Sequence, residues 1–265
     1  MLPAGQDPVE QLVANSTNNL AGQYAIYIKD LKSGKSYEVS SDEQIASASL
    51  YKLAVLWKTY DAVEKNEFKK DDLVSLDKIA IDKILEEKSS NQEGPQLQTD
   101  TEPEVVSYTV AEALRLMITI SDNYSAILLS EKLGWQNIDS LMEKENLAGI
   151  DLTDGEVPTV TAKAVGDLLE RIYRNTAVTA KDSQEMKTLL LAQKVNDRIP
   201  KYLPTDIKVA HKTGELDTLR HDAGIVYGKN SHYIFVFLSD TPTPKDASEE
   251  IAQLSKKFFD ALEQQ

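Results

Sequence analysis

The chain contains no cysteine. That absence excludes disulfides, thiolate metal sites and a cysteine nucleophile together. Histidine is almost as scarce. His211, His221 and His232 fall late in the chain and lack the i, i+4 helical spacing of a metal-binding pair. All three read as structural, and no metal or cofactor is implied; a Ser-His-Asp triad is compatible with them, but nothing in the spacing asks for one. Basic residues are outnumbered, 29 against 43 acidic ones, for a formal net charge of −14. Nucleic acid or an anionic membrane would be repelled by such a surface. No apolar run reaches the ~18 residues that a membrane span requires. What the chain does have is an ordinary globular apolar fraction, 41% of 265 residues. That suffices for a substantial core in one large domain or two interleaved subdomains.

The ends read as sheet and the middle as helix. Pro8 to Leu20 suits an opening helix. Tyr24 to Asp30 alternates as a strand, Lys32-Ser33-Gly34-Lys35 is turn chemistry, and Tyr37 to Ser40 returns as a hairpin partner. From Ser49 the period changes, with Leu53, Leu56, Trp57 and Tyr60 recurring at three and four residues. Thr109 to Glu112 forms a capping box that opens a helix to about Ile120. Tyr124 to Leu133 continues helical with Gly134 as its stop, and Asp182-Ser183-Gln184-Glu185 is expected to cap a further helix. Ile207–His211, Asp222–Tyr227 and His232–Ser239 read as strands, and Ala247 to Leu262 as a closing amphipathic helix. The expected fold is therefore α/β (α+β), a five-stranded antiparallel sheet flanked by helices plus an all-α subdomain. One domain over 1–265 would have its α/β part at about 1–45 and 200–265, and its all-α part at about 49–195. Residues 86–106, polar and punctuated by Pro and Gly, read as a solvated loop or as a rim of the active site.

Three motifs fall in order: Ser49-Leu50-Tyr51-Lys52, Ser121-Asp122-Asn123 and Lys212-Thr213-Gly214. A serine three residues before a lysine is weak by itself and recurs at Ser75-Leu76-Asp77-Lys78, which we assign to the surface. The S-D-N and K-T-G motifs at separations of roughly 70 and 90 residues are much harder to reach by chance. Ser49 and Lys52 share a face at a helix start. A serine hydroxyl is a poor nucleophile without a base in reach, and a lysine serves if burial or a neighbouring cation lowers its pKa. Ser121 can pass a proton to a leaving nitrogen, Asn123 can bind a substrate backbone, and Asp122 can hold the loop. Loss of Lys52 should cost acylation and little stability.

Order and spacing of these motifs resemble the class A β-lactamases and their penicillin-binding relatives. The resemblance implies Ser49 as nucleophile, Lys52 as base, and Ser121 and Lys212 as catalytic partners. It makes Asn123, Thr213, Gly214 and Glu215 substrate-binding, the last through its backbone N–H, paired with that of Ser49 in an oxyanion hole. Arg220 is a candidate second anchor for a carboxylate, or an exposed strand-end arginine. The implied substrate is a β-lactam or a peptidoglycan stem peptide, handled by a monomer without a cofactor. That substrate places the protein outside the cytoplasmic membrane. Met1-Leu2-Pro3-Ala4-Gly5 lacks the basic start and apolar core of a signal peptide, so a leader or anchor is expected to have preceded it.

One departure matters for mechanism. The E-x-x-L-N pattern that carries the deacylating glutamate in class A β-lactamases is missing from 147–158, and the loop is short. Asp151, Asp154 and Glu156 are acidic, yet turn or capping roles suit them equally. The expectation is a D,D-peptidase or penicillin-binding protein rather than an efficient β-lactamase. The rivals are a working β-lactamase using Glu156 or a loop aspartate, and a non-catalytic domain binding cell-wall fragments or a partner.

Overall fold

A computed structural model describes residues 8–18, 20–88 and 104–263. The chain opens with α1 (Pro8–Asn15), β1 (Gln23–Asp30), β2 (Ser36–Val39) and β3 (Ile45–Ala46). A 3-10 turn, Ala48–Tyr51, leads into α2 (Lys52–Glu64), followed by β4 (Leu73–Asp77), α3 (Lys78–Lys88) and β5 (Val105–Thr109). Next come α4 (Val110–Thr119), α5 (Asn123–Leu133), α6 (Trp135–Lys144), β6 (Ile150–Asp151) and β7 (Thr159–Val160). After α7 (Ala162–Tyr173) and α8 (Ala180–Leu191) the sheet is completed by β8 (Lys208–Leu216), β9 (Leu219–Tyr227) and β10 (His232–Asp240). The last element is α9 (Pro244–Glu263).

Among the described residues the main sheet is five-stranded and antiparallel, in the order β2-β1-β10-β9-β8. The expected fold class is borne out. Its strands β1 and β10 carry unbroken apolar stretches, Tyr24 to Ile28 and Tyr233 to Leu238, because both faces are covered there. Tyr24, Ile26, Ile28, Tyr233, Phe235 and Phe237 face α1 and α9 in one core. Ala25, Tyr27, Ile234, Val236 and Leu238 alternate with them and face the helical subdomain. There α7 lies so close to β1 that a Cβ on Gly166 would sit 2.3 Å from the Tyr27 ring.

Within the helical part the structure adds strands too short or too polar to read from sequence. β3, β7 and β6 form a small sheet, and β4 pairs with β5. The opening helix ends at Asn15 rather than Leu20. Residues 86–106 divide: 86–88 finish α3, Val105 and Val106 begin β5, and the remainder of the proposed rim, 89–103, lies outside the described residues. The N-cap at Thr109 is present, its hydroxyl accepting from the Glu112 N–H at 3.2 Å. For α8 the expectation is corrected: the cap is Thr179, which accepts from the Asp182 N–H at 3.1 Å. Threonine in extended backbone can cap there, whereas Asp182 is already inside the first turn.

Candidate active site

α2 is buried on nearly every side from Lys52 to Tyr60, so it is a core helix whose start is held rigidly. The 3-10 turn before it carries Ser49. Ala48 has φ +44°, an uncommon conformation for a residue with a side chain, and it turns the chain sharply ahead of Ser49. A second such residue is Ser121, at φ +60° between α4 and α5. Asp122 then caps α5, its carboxylate accepting from the Ser125 N–H at 2.7 Å. The loop-holding role expected of Asp122 is thus what it performs, and Asn123 becomes the first residue of the helix.

These two turns bring the motif side chains into one array. Lys52 Nζ donates to the Ser121 carbonyl at 2.7 Å, to Asn123 Oδ1 at 2.7 Å and to Ser121 Oγ at 3.3 Å. Lys212 Nζ donates to Ser121 Oγ at 2.8 Å and to the Thr213 carbonyl at 2.7 Å. Both lysine side chains are fully buried. Burial lowers the pKa of Lys52 to about 7, with Asp122 pulling the other way. Desolvation, not the neighbouring cation, is therefore what prepares this amine. Lys212 is also held well below the usual lysine range, by burial first and the Lys52 charge second.

Ser49 is half-buried and opens onto a cavity of about 290 Å³. Its hydroxyl makes no hydrogen bond among the described residues. The cavity wall includes Tyr51, Leu85, Ile127, Trp135 and Leu216, with Asn123 and Glu215 among its polar members. Thr213, Gly214 and Arg220 do not line it. Thr213 is buried, on the strand face opposite Lys212. Gly214 sits in tight packing within the protein: a Cβ there would lie 3.0 Å from the His221 ring and 3.3 Å from the Ala48 methyl. Arg220 bonds the Glu215 carboxylate at 3.1 Å and the Leu219 carbonyl at 2.7 Å.

One contributor escaped the sequence reading. Arg198, only 1% exposed, donates to Glu215 Oε2 at 2.5 Å and to the carbonyls of His221 and Gly214 at 3.0 and 3.3 Å. It clamps β8 to β9 just past the K-T-G motif. Its only sequence signal is an arginine beside a proline-ended loop. His211 bonds Asp222 at 2.9 Å and Asn196 at 3.1 Å, on the face of β8 away from Lys212, which makes this pair structural. The duplicate Ser75-to-Lys78 pair is at the surface, where Ser75 meets Ser107 at 2.6 Å and Lys78 meets Glu104 at 2.9 Å.

The 147–158 loop turns its acids away from the cleft. Asp151 accepts from the N–H groups of Thr153 and Asp154 at 2.9 and 2.8 Å, an Asx turn. Asp154 and Glu156 are exposed, and the loop contributes Val157 and Pro158 to the cavity wall.

A five-stranded sheet, a helical subdomain and a Lys52–Ser121–Lys212 array whose first lysine lies one helical turn after Ser49 are the features of a class A β-lactamase-like protein. A family model for the Beta-lactamase enzyme family matches residues 8–262, and the chain belongs to that family. The structure of PBP-A superposes with a TM-score of 0.83 at 21% identity, covering 100% of both chains. A β-lactamase from Sphaerobacter thermophilus gives 0.80 at 18% identity over 96% of each chain. The extended-spectrum β-lactamase TLA-1 gives 0.81 at 17% identity, covering 98% of this chain and 99% of its own. No curated protein matches the chain by sequence. At these identities the structural likeness shows the fold; family and fold together support a serine hydrolase.

Proposed function

We propose that the protein is an extracytoplasmic serine acyl-enzyme hydrolase of D-Ala-D-Ala-type peptidoglycan peptides that β-lactams acylate. It stands nearer to a D,D-peptidase or penicillin-binding protein than to an efficient β-lactamase. The observation that carries this reading is the Lys52–Ser121–Lys212 array, tied by Asn123 to the cavity wall that Ser49 also lines, with one lysine near pKa 7. A neutral Lys52 amine takes the Ser49 proton as the oxygen attacks the carbonyl. The carbonyl π electrons move onto oxygen, where the backbone N–H groups of Ser49 and Glu215 receive them. When the C–N bond breaks, Ser121 donates its proton to the departing nitrogen and is reprotonated by a lysine. Lys212 supplies positive potential for the substrate carboxylate. All of these groups come from one chain.

Support for slow penicillin turnover comes from the loop, whose cleft side is Val157 and Pro158 rather than a carboxylate. A variant of PBP-A has been captured as an acyl-enzyme with penicillin G. The discriminating experiment compares release of D-alanine from an acyl-D-Ala-D-Ala peptide with steady-state penicillin hydrolysis. Peptide cleavage together with slowly reversed penicillin inhibition is the expected result. Rapid multiple-turnover penicillin hydrolysis without peptide cleavage would replace this reading with a β-lactamase.

A further inference from the structure

His221 lies in no motif and does not line the cavity, yet both of its ring nitrogens are engaged in backbone. The Ser239 N–H donates to Nδ1 at 3.1 Å, and Nε2 lies 2.9 Å from the Ala46 carbonyl. An amide N–H can only donate and a carbonyl can only accept. The ring is therefore the neutral tautomer with its proton on Nε2. Complete burial agrees with this, lowering its pKa to about 4.

The location gives these bonds their meaning. The paired register of β10 with β9 runs from His232↔Tyr227 to Phe237↔Asp222 and resumes at Asp240↔Leu219. Ser239 falls in the interruption, and its N–H meets the imidazole there; its hydroxyl meets the Arg220 carbonyl. From this gap the ring reaches 175 residues back in sequence to Ala46, three residues before Ser49. The same ring packs over Gly214, where an added Cβ would stand 3.0 Å from Cδ2 and 3.3 Å from the Ala48 methyl. Imidazole, Gly214 and Ala48 are thus stacked between the K-T-G strand and the nucleophile's turn.

We infer that His221 is a positioning residue for acylation, setting the height of the Ser49 turn against the Lys212–Gly214 strand through its bond to Ala46. The inference rests on Ser49 being the nucleophile proposed above. A core histidine would matter only for stability; this one would matter for rate at equal stability.

Two variants separate its bonds. His221→Gln keeps a donor near the Nε2 position, and His221→Asn keeps an acceptor near Nδ1. Acylation by penicillin G and labelling by a fluorophosphonate are followed by intact mass, beside each variant's melting temperature. With the Ala46 bond gone, the Asn variant should acylate at least ~10-fold more slowly with both reagents, and the Gln variant within ~3-fold of wild type, at comparable melting temperatures. An Asn variant that reacts like wild type, or rates that fall only as stability falls, would overturn the inference. Using both reagents keeps the two claims apart, since failure with penicillin alone indicts the proposed substrate class and not the positioning role. Should either variant fail to fold, the ring nitrogens of ¹⁵N-histidine-labelled wild type decide. A slowly exchanging Nε2–H with an unprotonated Nδ1 is required, and the opposite tautomer refutes it.

Discussion

Ser121 Oγ accepts a hydrogen bond from Lys212 Nζ at 2.8 Å, and the same oxygen lies 3.3 Å from Lys52 Nζ. Two buried cation-forming groups therefore share one hydroxyl as acceptor, leaving its own proton free to donate. Removing the hydroxyl should affect both proton transfers. Ser121→Ala is expected to slow acylation by ~10²–10⁴, the usual worth of general acid–base assistance. Loss of an acceptor for the ammonium form should also move the acid limb of the rate profile to lower pH. Stopped-flow acylation across pH checks both, and a rate unchanged in the folded variant would remove Ser121 from the proton path.

Acylation should depend on the free amine of Lys52. Because burial brings that group to about pKa 7, the acylation rate constant should rise with pH through that region and then level off. A profile flat from pH 5 to 9 would contradict a lysine base.

Lys52 also makes a signed contribution to stability. In the unfolded chain its pKa returns to the ordinary 10.5, so between about 7 and 10.5 the unfolded state holds the extra proton. Stability from this group must therefore rise with pH across that window and be flat below it. Denaturant titrations of wild type and Lys52→Met should show wild type gaining on the variant as pH increases. The sequence-based expectation that removing Lys52 costs little is corrected by its burial. Lys52→Ala opens a cavity and strips the Ser121 carbonyl of its partner, for a loss of about 1–3 kcal/mol.

The sheet was legible because its strands are covered on both faces: Tyr233 to Leu238 is apolar at every position, which only a doubly buried strand needs. The three motifs were legible because their order is improbable. What escaped depends on contacts between distant parts of the chain. Lys52 stands out in sequence as a motif base, and only the packing around α2 shows how completely it is buried. The bonds from His221 to Ala46 and from Arg198 to Glu215 leave no periodic trace. β3, β6 and β7 are two residues each, too short for any alternation to register. At α8, Asp182-Ser183-Gln184-Glu185 imitates a cap three residues past Thr179, because either Thr or Asp can fill that position.

Deacylation tests the loop. With Asp151 folded into its turn, and Val157 and Pro158 on the cavity wall, no loop carboxylate is placed to activate water. The penicilloyl adduct should last seconds or longer. Without ~10²–10⁴ of base assistance, a millisecond turnover lengthens to seconds or more. Glu156→Gln should leave the adduct lifetime unchanged, since that side chain is exposed and outside the cavity wall. A lifetime changed tenfold would restore Glu156 as a candidate base.

The central claim is that Ser49 forms a covalent acyl-enzyme, and intact mass after incubation with penicillin G measures it directly. The account predicts an adduct of one whole penicillin, mapped by peptide digestion to Ser49 and absent from Ser49→Ala. A folded wild-type protein that gains no mass with several β-lactams, or whose label maps to another residue, would contradict it.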